Sequence, residues 1–200
     1  MNINNITTLK NKYFLLRHGQ TIFQRDNIDK IYSDQEYLFL EITKEGRDKI
    51  AKQAQILKEK NIDIIFSSPL LRAKQSAQIV ADVISKEIIF DDRLVDMKMG
   101  EFFGQPTYTY DDFFLIKKLG FEGRPNGGEN WTDILKRMNS FLNDVEQKYN
   151  NKNILIISHG EPLWLLAAHL KGAKTADELL ATRKVKENNL YPDTGDLIEL

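Results

Sequence analysis

Two histidines, His18 and His159, each follow an apolar run and precede a glycine, in "YFLLRHG" and "NILIISHG". Arg17 comes directly before the first, and Arg72 follows the serine-proline turn in "FSSPLLRA". Burying a guanidinium beside a titratable ring is costly without a partner, so these residues predict a shared ligand. Guanidinium forks, imidazoles and the free N–H groups of a helix start together suit an anion, and paired arginines match phosphate oxygens best. The chain has no GxxxxGK[ST] loop, no HExxH and no aspartate-rich cluster, which argues against a nucleotide triphosphatase or a catalytic metal. Histidine itself is then the candidate nucleophile, able to carry a phosphoryl group.

For these residues to meet, the elements bearing them must end at one edge. Apolar runs at Tyr13–Leu16, Ile62–Phe66, Glu87–Phe90 and Ile154–Ile157 alternate with helix-period segments. That pattern predicts a three-layer α/β/α sandwich, a mostly parallel sheet with helices on both faces. In such sheets ligands bind outside the carboxyl ends of the strands, where both His-Gly pairs would lie. The closing "GDLIEL" predicts an edge strand after the turn at "PDTG". Thr43 is placed to cap a helix with Ile50, Ala54 and Leu57 on one face, with Gly46 in its first turn as a weakness. A helix beginning at Trp131 carries an apolar stripe through Ile134, Leu135, Met138, Phe141, Leu142, Val145 and Tyr149. Ser68 reads as the N-cap of a helix with Pro69 first and Arg72 in its opening turn.

The 200 residues predict one domain over 1–200, with residues 1–11 a loose tail. Charge nearly cancels between 28 basic and 29 acidic residues with no basic block, which argues against nucleic acid as a partner. Without cysteine there is no disulfide framework, thiolate metal site or thiol nucleophile. No apolar run approaches the roughly 20 residues that span a bilayer, and the N-terminus lacks a secretory apolar region; the expected address is cytoplasmic.

Six segments in order resemble the histidine phosphatase, or phosphoglycerate mutase-like, superfamily. They are "LLRHGQT", "ITKEGRDKIAKQAQIL", "FSSPLLRAKQSAQIV", "LVDMKMGEFFG", "NGGEN" and "ILIISHGEPL". The resemblance implies that His18 takes the phosphoryl group while Arg17, Arg72 and His159 hold its oxygens. It implies no cofactor and no metal. The family's proton-donating Glu falls on Asp96, which is shorter by about 1.5 Å; either the backbone approaches closer there, or Glu101 or another carboxylate helps. Gln24 stands where many relatives have a phosphate-contacting Asn, and Thr21 and Gly160 complete the expected substrate contacts. Asn130 replaces the usual Ser of the glycine loop.

The resulting expectation is a metal-independent phosphatase for a small phosphomonoester, working through phosphohistidine. The alternatives are a mutase, a phosphoprotein (phosphohistidine) phosphatase and a non-catalytic phosphate-binding domain. His169 reads as an ordinary cation near a helix C-terminus, and Arg137, Arg47 and Lys74 as surface charges. Asp91 and Asp92 read as a polar strand end, and Asn126-Gly127-Gly128 as a turn. Residues 105–124 are either a wall of the pocket, with Lys117, Lys118 and Arg124 meeting a second anion, or a cap whose Tyr108, Phe113, Phe114 and Phe121 pack on the core.

Overall fold

The computed structural model describes residues 9–116, 119–183 and 189–200. Strands β1 (Lys12–Arg17), β2 (Ile64–Ser67), β3 (Ile88–Phe90), β4 (Asn153–Ser158) and β5 (Leu197–Glu199) form one sheet in the order β3-β2-β4-β1-β5. Four strands are parallel, and only β5 runs antiparallel, along β1 at the edge. The expected three-layer sandwich is the observed one.

Both faces of β1 and β4 are covered, which is why their runs are continuously apolar rather than alternating. Tyr13, Leu15, Ile154 and Ile156 face one layer, built mainly on α6 (Trp131–Lys148) and α7 (Gly160–Leu170). Phe14, Leu16, Leu155 and Ile157 face the other, built on α3 (Lys44–Lys58) and α4 (Leu71–Ile84). The smaller helices are α1 (Ile22–Arg25), α2 (Asp34–Phe39), α5 (Thr107–Tyr110) and α8 (Ala176–Leu180). The predicted stripe of α6 is buried from Trp131 to Val145, and Asn130 caps it by accepting from the Asp133 N–H at 2.9 Å.

Register positions the chemistry. Arg17 pairs with Ser158 in the β1–β4 ladder, so the next residues on each strand, His18 and His159, emerge side by side. Ser67 pairs with Ile157, which brings Ser68 to the same edge. A slip of one residue would turn both apolar sets inside out, so burial on two faces fixes this alignment.

Four expectations are corrected. Residues 9–11 are not a loose tail: Glu146 Oε2 accepts from the Lys10 N–H at 2.7 Å and Glu146 Oε1 from Asn11 Nδ2 at 2.9 Å. Residues 1–8 lie outside the described residues. Ser68 does not cap α4, which begins at Leu71 with Leu70 as its N-cap. Gly46 is not a weakness of α3 but a requirement, because a Cβ there would stand 2.5 Å from the Gln20 carbonyl oxygen in the loop after His18. His169 is buried and pushed toward its neutral form by burial, so it is no helix-end cation.

Candidate active site

The two imidazoles do converge. Their ring centroids are 5.1 Å apart, and the rings are 1% and 0% exposed. His18 Nδ1 lies 2.8 Å from the carbonyl oxygen of Gly19. A carbonyl only accepts, so Nδ1 carries the proton and Nε2 keeps its lone pair. His159 has the opposite arrangement. Its Nε2 lies 2.8 Å from Ser68 Oγ, a hydroxyl that also accepts from the Leu70 N–H. His159 Nδ1 has no hydrogen-bond partner and stands 3.6 Å from Asp96 Oδ2. His18 therefore offers an electron pair at Nε2.

Arg72, fully buried in the first turn of α4, donates through Nη1 to the Tyr37 carbonyl at 2.7 Å and through Nη2 to Asp96 Oδ2 at 2.8 Å. Its Nε has no partner. Arg17 is held from β1 by Nη1 donating to the Pro192 carbonyl at 2.8 Å, and its Nε is likewise unpartnered. Arg17 Nε, Arg72 Nε and His159 Nδ1 are thus three buried polar atoms without a partner, where buried polar groups are normally satisfied. Asp96 spans the gap between Arg72 and His159 and must share Arg72 with any anion that enters.

Arg17, Gln24, Asp96 and Gly160 line a cavity of about 250 Å³. Thr21 does not reach it; its backbone N–H and its hydroxyl both donate to Gln24 Oε1, at 3.0 and 2.7 Å. The amide nitrogen of Gln24 donates to the Tyr32 hydroxyl at 3.0 Å, and the Tyr32 ring lies under the Arg72 guanidinium at 5.0 Å. Glu101 faces elsewhere, accepting from the Asn126 N–H at 2.8 Å, while Asp96, Asp111 and Glu161 are the carboxylates on the cavity wall.

Sequence reasoning missed several members. Arg137 is not a surface charge: it pairs with Glu129 at 2.9 Å and donates to the carbonyls of Arg93 at 2.5 Å and Asp96 at 3.3 Å, fixing the turn that carries Asp96. Tyr110, Glu161, Arg183 and Tyr191 also line the cavity. Only Glu161 left a signal, as a carboxylate opening the otherwise apolar "PLWLLAAHL" helix. Of residues 105–124, Thr107, Tyr110 and Asp111 form cavity wall, while Phe113, Phe114 and Phe121 pack on the core. Tyr108 is exposed, contrary to the packing expectation, and Arg124 pairs with Asp133 at 2.5 Å instead of meeting a second anion. Lys117 and Lys118 lie outside the described residues.

Comparison with known proteins decides the family. The model of the histidine phosphatase superfamily, branch 1, matches residues 13–183. This chain belongs to that superfamily. It is an enzyme of the phosphatase class. Phosphoserine phosphatase 1 of Hydrogenobacter thermophilus is 24% identical over 166 residues, covering 80% of this chain and 76% of that one. "Probable phosphoglycerate mutase GpmB" of Escherichia coli O1:K1 / APEC is 28% identical over 164 residues, covering 80% and 74%. A solved phosphoserine phosphatase of Entamoeba histolytica, in complex with 3-phosphoglyceric acid, shares the fold with a TM-score of 0.74 at 24% identity over 94% of this chain and 89% of that chain. Among the described residues no helix is long and apolar enough to cross a membrane.

Both site histidines of this histidine phosphatase are held well below their ordinary pKa, first by burial and then by the charges of Arg72 and Arg17, with His159 adding to the effect on His18. The unfolded chain protonates these rings near pH 6.5, whereas the folded chain does not. It therefore binds more protons when unfolded, and stability is lost as pH falls below about 6.5. The melting temperature is expected to drop between about pH 7.5 and 5, less steeply in His159→Gln. Equal slopes in the two proteins would count against this assignment.

Proposed function

We propose that this enzyme hydrolyses small phosphomonoesters without a metal ion, through a phosphohistidine at His18. The observation that carries this reading is the set of unpartnered buried polar atoms, Arg17 Nε, Arg72 Nε and His159 Nδ1, beside a histidine whose Nε2 lone pair is free. Phosphoryl transfer needs in-line placement and cancellation of charge on three oxygens, and this cage supplies both. His18 Nε2 forms the P–N bond as the ester P–O bond breaks, and the leaving oxygen takes a proton from the Asp96 carboxyl. Water then attacks phosphorus, the P–N bond breaks, and Asp96 recovers its proton from that water. Gln24 and the N-terminal turn of α7 at Gly160 flank the phosphoryl group. The cavity of about 250 Å³ beside Arg17 and Asp96 would take the small alcohol.

The likeness to a protein named as a phosphoglycerate mutase supports a second reading, in which the phosphoryl group returns to the bound product. The purified protein is expected to hydrolyse p-nitrophenyl phosphate in the presence of EDTA and to be inhibited by vanadate. Isomerisation of phosphoglycerate outpacing phosphate release would establish the mutase instead. Phosphate binding without turnover between about pH 5 and 8 would leave only a binding domain.

A further inference from the structure

Arg72 and Asp96 meet at 2.8 Å, and a third residue touches both. Tyr37, 7% exposed, stands near the end of α2, whose start is fixed by Ser33 and Glu36, each side chain accepting from the other's backbone N–H at 3.3 and 2.7 Å. The last four carbonyls of a helix have no partner within it. The Tyr37 carbonyl is one of these, and it accepts from Arg72 Nη1 at 2.7 Å. The Tyr37 hydroxyl donates to the Asp96 backbone carbonyl at 2.8 Å. Tyr37, Arg72 and Asp96, from α2, α4 and the segment after β3, therefore close a ring in which each residue holds the other two.

The hydrolytic mechanism does not use Tyr37. It is not part of the site cavity's wall, so it acts only through the residues it holds. Its ring packs edge-on against Phe103 at 5.4 Å and lies 5.8 Å from the Arg72 guanidinium, contacts that a phenylalanine would also make. Burial first, and the Asp96 charge next, keep the hydroxyl protonated and hence a donor. What the hydroxyl adds is a tie to the backbone of the residue whose side chain is the proposed acid. Arg137 reaches the same carbonyl at 3.3 Å, so Tyr37 makes the shorter bond.

We infer that Tyr37 is a positioning residue, a role that rests on the phosphatase reading: its hydroxyl and carbonyl set Asp96 and Arg72 against each other, so that the acid meets the leaving oxygen of an ester whose phosphoryl group Arg72 holds. Displacing a reacting group by about 1 Å can cost on the order of 10²-fold in rate. Asp96 keeps its contacts with Arg137 and the Met97 N–H when the hydroxyl is lost, so a smaller cost is expected.

Tyr37→Phe tests the role, with propyl phosphate and p-nitrophenyl phosphate as substrates. Its kcat is expected to fall about tenfold on propyl phosphate and about twofold or less on the nitrophenyl ester, because only the alkyl leaving group needs the proton. KM for both should stay within about twofold, since the ring and carbonyl that brace Arg72 remain. In an Asp96→Asn background the same change is expected to cost about twofold or less on propyl phosphate, as residues that act through one another are not additive. An unchanged alkyl rate in folded Tyr37→Phe, equal losses on both esters, or the full alkyl loss again in the Asp96→Asn background would overturn the assignment. If Tyr37→Phe does not fold, Phe103→Leu removes the ring packed on Tyr37 and is expected to lower the alkyl rate alone by about threefold, equal losses again overturning it. No phosphate release from the wild-type protein would sink the phosphatase reading. A crystal structure of Tyr37→Phe would then decide the positioning role by itself: the role stands if the contact between Asp96 Oδ2 and Arg72 Nη2 opens beyond about 3.5 Å and falls if it stays at 2.8 Å.

Discussion

His18→Ala is expected to lower turnover of p-nitrophenyl phosphate by on the order of 10⁴-fold or more, the scale seen when a covalent nucleophile is removed. Nothing else in the cage can take its place. His159 is the nearest candidate, but its Nε2 is already engaged with Ser68 Oγ at 2.8 Å. The donors proposed to hold phosphate, on Arg17, Arg72 and His159, remain in the variant. Inorganic phosphate should therefore still bind within about tenfold of the wild-type affinity by calorimetry. That split between lost turnover and kept binding separates loss of a nucleophile from collapse of the site. Retention of more than a few per cent of wild-type turnover would remove His18 from its role.

Asp96→Asn is expected to act according to the leaving group. An alkyl phosphate departs as an alkoxide unless protonated, so losing the acid should cost about 10²- to 10⁴-fold. Nitrophenolate leaves unprotonated, and its ester should lose about tenfold or less. Asp96 is firmly seated: Oδ1 accepts from the Met97 N–H at 2.9 Å, Oδ2 is 2.8 Å from Arg72 Nη2, and Arg137 bonds the carbonyl of the same residue. Kinetics with a series of aryl and alkyl esters reads the difference directly. Equal losses across the series would clear Asp96 of proton transfer and return attention to the interaction it makes with Arg72.

Much of this arrangement was legible because its causes are local. Tyr13–Leu16 and Ile154–Ile157 are apolar on every residue, which only a strand covered on both faces requires. Each ends at His-Gly, so the two imidazoles had to leave the sheet at its carboxyl edge once the strands ran parallel. The stripe from Trp131 to Val145 has helical spacing and is buried as that spacing demands.

The misreadings share a different cause. Ser68 looked like a helix cap by local rule, yet its hydroxyl is spent on His159, a partner 91 residues away. Arg137 looked solvated at the margin of its helix, yet the turn carrying Asp96 folds onto it. Glu161, Tyr110, Arg183 and Tyr191 come from four separate segments, and none has a spacing that announces the others.

The amino-acid sequence by itself determined the layered fold, the strand ends and the cationic character of the proposed phosphate cage, because periodicity and residue type act over a few neighbours. The tertiary structure decided which nitrogen of His18 is free and which carboxylates line the cavity beside it. Those depend on hydrogen bonds between distant segments, and only packing of the whole chain brings such partners within 3 Å of each other.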